Sequence, residues 1–170
     1  MTEPVIRAAE SADVEEMAET AIAAWRTGFR GIVPEHVDPE QSWRPERLED
    51  RLRAPSIESG EILVAEVDGT VRGLILFGSS RDAAAAPNEG EVIALYVHPD
   101  QWRAGIGRRL VSAALERLAR AGLEQAIVWT LAESSRNLAF YESLGFRRDG
   151  GEQRRESFGS PLEVRFRQSL

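Results

Sequence analysis

His98-Pro99-Asp100-Gln101-Trp102-Arg103-Ala104-Gly105-Ile106-Gly107-Arg108-Arg109-Leu110 carries two glycines spaced Gly-x-Gly, between the apolar run Val92 to Val97 and a helical pattern. A strand, a turn of bare backbone and a helix N-terminus therefore follow one another without interruption. Such a junction holds anions. Several N–H groups converge, the helix dipole adds partial positive charge, and the missing side chains let a phosphate come close. The stretch reads as a site for a phosphorylated ligand, although a tight strand-to-helix turn without a ligand would use the same two glycines.

The rest of the composition narrows the ligand. All 21 basic residues are arginine, so neither the lysine of a Walker A loop nor a Schiff-base lysine is available. A dinucleotide fingerprint would need a third glycine where Leu110 stands, behind an early strand rather than a late one. There is no cysteine, hence no disulfide, thiolate nucleophile or cysteine zinc site, and no metal is expected. A net charge of −7 argues against a broad grip on nucleic acid or anionic lipid. No apolar run approaches a membrane span, and the acidic start Thr2-Glu3-Pro4 lacks the apolar core of a signal peptide, so a cytoplasmic location is expected. The 170 residues suit one domain, 1–170, with a proper core.

Outward from the turn, Ile106, Leu110, Ala113, Ala114 and Leu118 form a helical stripe that Gly122 ends. Ala126 to Leu131 reads as a strand. Ser134 or Ser135 caps a helix through Leu138, Tyr141 and Leu144, stopped by Gly145. Upstream, Val5 to Arg7 is a short strand, and Ser11 a candidate cap for a helix running to about Trp25. Pro45 opens a short helix with Leu48 and Leu52. Glu61 to Val67 and Val71 to Gly78 form a hairpin across Asp68-Gly69, and Glu91 to Val97 is the next strand. Arg81 to Gly90 and Gly150 to Gly159 read as loops. Phe146 and Leu162 to Gln168 supply the last strand material; Leu162, Val164 and Phe166 alternate with Glu163, Arg165 and Arg167, a strand with one wet face. The order β-α-α-β-β-β-α-β-α-β-β predicts an α/β protein with a mixed sheet and helices on both faces.

The second informative stretch is Asn137-Leu138-Ala139-Phe140-Tyr141-Glu142-Ser143-Leu144-Gly145-Phe146. Together with the turn Trp102-Arg103-Ala104-Gly105-Ile106-Gly107, it resembles the GCN5-related N-acetyltransferase (GNAT) superfamily. Trp102 stands where that family carries Gln or Arg; main-chain amides do not depend on it. The resemblance covers about Glu61 to Phe146. It implies the acyl-CoA N-acyltransferase fold: a mixed, mostly antiparallel sheet of six to seven strands, with two central parallel strands splayed apart. It implies acetyl-CoA as co-substrate. The amides of Arg103, Ala104, Gly105, Ile106, Gly107 and Arg108 would cradle the pyrophosphate. Leu95, Tyr96 and Val97 would offer main-chain groups to the pantetheine arm, and Asn137 would bond it. The family habit is a homodimer.

The implied activity is acetyl transfer to a primary amine, of a small molecule, peptide or protein, by direct attack in a ternary complex. The alternative is a CoA-binding sensor without turnover. Tyr141 would protonate the departing thiolate, and Glu91, directly or through water, would take the proton of the amine. The acceptor pocket would be built from Trp25 to Pro34, the helix from Pro45 and the two loops, with Phe29, Trp43 and Tyr96 as lining; Trp25, at helical spacing, reads as core.

Overall fold

The computed structural model describes residues 2–170; Met1 lies outside the described residues. One seven-stranded sheet runs β1 (Val5–Ala8), β2 (Glu61–Val67), β3 (Thr70–Ser79), β4 (Glu89–Val97), β5 (Gln125–Leu131), β7 (Leu162–Ser169), β6 (Arg147–Arg154) from edge to edge. Every neighbouring pair is antiparallel except β4 and β5. Two expectations are corrected. Gly150 to Arg154, read as loop, lies in β6, because it pairs with β7 across the irregularity between Arg148 and Glu152. Ser11 lies inside a 3₁₀ turn; the entry to the first helix is capped by Glu10 and Asp13.

Period-2 alternation explains the layers. On β2, Leu63 and Ala65 face one side and Ile62 and Val64 the other, and all four are buried. On the first side α4 (Ile106–Arg120) and α5 (Ser135–Ser143) press Ile106, Leu110 and Tyr141 onto the sheet. On the second, α1 (Val14–Gly28) buries Met17 and Ala21, and α3 (Pro45–Leu52) buries Leu48. A single turn, α2 (Pro39–Ser42), links them. Gly73 is required under α4: a Cβ there would stand 2.9 Å from Ile106.

The central parallel pair holds register only from Glu89↔Gln125 to Val92↔Val128. Just there β4 bulges against β3: Leu76 pairs with Ala94 and Phe77 with Val92, leaving Ile93 without a partner. A bulge bends its strand and sharpens the twist. β5 stays with β7 along its whole length, from Gln125↔Ser169 to Leu131↔Glu163. The sheet therefore opens between Ile93–Val97 and Trp129–Leu131.

Candidate active site

The opening is a cleft of about 240 Å³, floored by Leu95 and Tyr96 of β4 and Thr130 of β5, with Tyr141 and Asn137 of α5 at one side. Its chemistry follows from the hydrogen-bond phase of β4. His98 N–H donates to Arg72 O, so alternate residues back along the strand face β3. By that alternation Tyr96 spends its main chain on β3. Leu95 and Val97 turn theirs toward the gap, so of the expected trio only these two carry open-edge groups. Trp102 takes part of that edge: its indole N–H donates to Val97 O at 2.7 Å. Its ring is covered in turn by the Arg136 guanidinium, 3.8 Å from the centroid.

Beyond Trp102 the chain makes the glycine turn. Arg103 has φ +67° and Gly105 φ +82°, left-handed backbone on alternate residues. The amides of Arg103, Gly105, Ile106, Gly107 and Arg108 make no main-chain hydrogen bond and open at the N-terminus of α4. Ala104 departs from the expected cradle because its N–H donates to Gln101 O at 3.3 Å. The two glycines serve different ends. Gly105 holds a left-handed cap with open space around its missing Cβ. A Cβ on Gly107 would lie 3.2 Å from Phe140, so its bareness lets α5 pack against α4. Nearby arginines are partly engaged: Arg109 pairs with Glu3 at 2.6 Å, and Arg108 reaches Ser143 at 3.3 Å. His98 bonds Asp100 at 2.7 Å, a contact that shapes the turn.

Tyr141 is buried among Phe140 and Phe146, edge-on to both, with centroids at 5.1 and 5.7 Å. Its hydroxyl has no hydrogen-bond partner among the described residues, and the ring lines the cleft. Burial pushes the phenol well above the ordinary tyrosine range, so it stays protonated. Ser134 Oγ, not Ser135, caps α5, accepting from Asn137 N–H at 3.4 Å.

Glu91 is placed elsewhere. It is buried, but both oxygens are held by Arg81: Oε1 by the guanidinium at 2.8 Å, Oε2 by the main-chain N–H at 2.9 Å. It lines a neighbouring recess, not the cleft. The carboxylate that lines the cleft is Glu163 of β7. The alternation in β7 suggested a wet face, yet Glu163 is only 4% exposed. Gln153 donates to its Oε2 at 2.7 Å, and Arg155 stands 3.4 Å from the same oxygen. The next residues on that face, Arg165 and Arg167, share Asp149 at 2.7 and 3.0 Å, so an ion-pair ladder covers the strand.

The mouth of the cleft gathers Phe29, Trp43 and Phe158, and four arginines, Arg47, Arg51, Arg81 and Arg155. Trp25 is buried beside Phe29 and Phe158, as a core residue. The sequence reading missed Glu163 and the arginines. Only Arg47 and Arg51 left a trace, one helical turn apart on α3.

Comparisons agree with this geometry. A model of the acetyltransferase (GNAT) family matches residues 15–146. An uncharacterized N-acetyltransferase of Bacillus subtilis is 28% identical over 138 residues, 81% of this chain and 77% of that protein. A mycothiol acetyltransferase of Kocuria rhizophila is 43% identical over 63 residues, 37% of this chain and 21% of that one. The PaiA N-acetyltransferase of Thermoplasma acidophilum, solved with coenzyme A, superposes with a TM-score of 0.83 at 21% identity, covering 99% of this chain and 100% of that one. The chain belongs to the acetyltransferase (GNAT) family and is an acyltransferase.

Proposed function

We propose that residues 1–170 act as one domain that moves the acetyl group of acetyl-CoA to a primary amine by direct attack in a ternary complex. The observation that carries this is the unpartnered Tyr141 hydroxyl inside the gap between β4 and β5. The gap lies between an open strand edge at Leu95 and Val97, which leads to the five free amides at the N-terminus of α4, and a polar mouth on the opposite face. The parts fit a pyrophosphate on a long, extended arm: amides for the charge, a strand edge for the arm, Asn137 beside it.

The roles follow from the chemistry. An alkylammonium ionises near pH 10.4 and must lose a proton before it attacks. Glu163, with Oε1 left without a hydrogen bond from the protein, is the base the cleft offers. Glu91 would serve only through water, past Arg81. The open-edge N–H of β4 faces the oxygen that gains charge as the amine adds. Tyr141 hands its proton to the departing thiolate, and its raised pKa keeps that proton in place until then. No covalent enzyme intermediate is involved, in keeping with a chain without cysteine.

The test is thiol release from acetyl-CoA, followed across amines, peptides and aminoglycosides. Acceptor-dependent release is expected. Tight CoA binding without it would leave a CoA sensor, and no CoA binding would remove both readings.

A further inference from the structure

The four arginines of the cleft mouth are unevenly balanced. Arg81 has Glu91 at 2.8 Å and Arg155 has Glu163 at 3.4 Å. Arg47 and Arg51 have no acidic partner among the described residues, although both line the cleft. They sit one turn apart on α3, where like charges repel. Desolvation, with Arg81 and Arg47 close by, lowers the pKa of Arg51. Two guanidinium groups without an acidic partner thus stand beside a third in one cleft of a protein of net charge −7.

Coenzyme A does not account for them. The free amides that suit its pyrophosphate open at α4, which packs on one face of the sheet through Ile106 and Leu110. α3 packs on the other face, through Leu48. The cleft between β4 and β5 joins the two. Whatever the arginines hold enters from the side opposite the phosphates of the donor.

Resting on the acetyl-transfer reading, we propose that the acceptor is a small primary amine that also carries an anion, a carboxylate or phosphate, bound by Arg47 and Arg51 while the amine points inward to Glu163 and Tyr141. Guanidinium forks match both anions through paired N–H donors. The volume of about 240 Å³ and the aromatic walls Trp43 and Tyr96 suit a compact molecule. The anion anchors one end and selects against neutral amines. Glu163, whose Oε2 is engaged by Gln153 and Arg155, turns Oε1 to the amine, so the two charges of the acceptor meet opposite partners.

The experiment uses matched pairs: phenylalanine with phenethylamine, leucine with isoamylamine, phosphoethanolamine with ethanolamine. Thiol release from acetyl-CoA gives kcat/KM for each, in the wild type and in the double variant Arg47→Gln/Arg51→Gln. The anionic member of at least one pair should be favoured about tenfold or more, and the double variant should bring that ratio close to one. Equal kcat/KM within every pair, or a ratio that survives the double variant, overturns the proposal while leaving acetyl transfer standing. Calorimetric titration of the same pairs into the CoA-loaded protein gives a readout that needs no turnover. If no amine is acetylated, the absence of any preference for the anionic members there overturns the proposal. Carboxylate and phosphate sources separate by which pair shows the ratio.

Discussion

The two ends of the cleft are built in opposite ways. At the α4 end the groups proposed to bind the donor are the open main-chain amides of Arg103 and of Gly105 to Arg108, nearly continuous in the chain, and the side chains matter mainly by their absence. At the mouth the binding groups are side chains brought together from α3, the segment after β3 and the segment after β6, as far apart as Arg47 and Arg155. The first end depends on local dihedral angles; the second depends on the whole sheet being assembled. Substitutions at the two ends should therefore fail differently, one in donor affinity and the other in acceptor selectivity, with the chemistry between them failing in turnover alone.

The largest effect is expected in the middle. Tyr141→Phe keeps the ring contacts with Phe140 and Phe146 and removes only the unpartnered hydroxyl. Steady-state assays should show kcat falling about a hundredfold, the scale of a lost general acid, with CoA affinity within about twofold of wild type. Because burial raises the phenol above its ordinary pKa of about 10, the wild-type rate should show no loss of the acid as pH rises to that value. The same raised pKa makes a sign for stability: its contribution is complete below about pH 10 and is lost as pH climbs toward the folded value. A kcat for Tyr141→Phe equal to wild type would remove this residue from the reaction.

Next come the two carboxylates. Glu163→Gln keeps a partner for Gln153 and Arg155 but cannot take a proton. We expect kcat/KM for the amine to drop about ten- to a hundredfold at neutral pH, and to recover as alkaline pH deprotonates the amine unaided. Glu91→Gln should act on the fold instead, since it weakens the contacts with Arg81. A loss of about 1–3 kcal/mol in denaturant unfolding is the scale of charged hydrogen bonds with one partner half in water. The reverse assignment of these effects would put the base back at Glu91.

This pattern also explains what could be read from the chain. Six of the seven strands, the hairpin at Asp68-Gly69 and the Gly105 turn were legible because each is specified by residues next to one another: alternation, a tight-turn pair, a glycine before a helix. β6 was not, because Arg147 to Arg154 is polar and glycine-bearing and becomes a strand only when β7 lies beside it. Glu163 looked like the wet half of an alternating strand, and its burial depends on Gln153, Arg155 and the ladder behind it. Glu91 was a reasonable carboxylate at the right strand; nothing local announced that Arg81, ten residues earlier, would hold both of its oxygens. Arg47 and Arg51 resembled any solvated helix face until the cleft opened beside them.

At the donor end the contrast between the two glycines gives a finer division. Gly105→Val forces a branched residue into φ +82° and puts methyl groups on the open side of the turn. Calorimetry should show CoA affinity lower by tenfold or more, with acceptor selectivity intact. Gly107→Ala is a different experiment. Its φ is not left-handed, so the backbone takes alanine without strain, and the helix gains about 1 kcal/mol of propensity. Against that, the new methyl sits 3.2 Å from Phe140 and 3.8 Å from Val97, so α5 has to give by a few tenths of an ångström. The methyl points at the α4–α5 contact, away from the amides. Stability should therefore change by less than about 1 kcal/mol and CoA affinity by less than about threefold, while kcat falls modestly because Phe140 carries Tyr141 with it. If Gly107→Ala instead weakened CoA as much as Gly105→Val, both glycines would be serving the phosphate, and the packing account of Gly107 would be wrong.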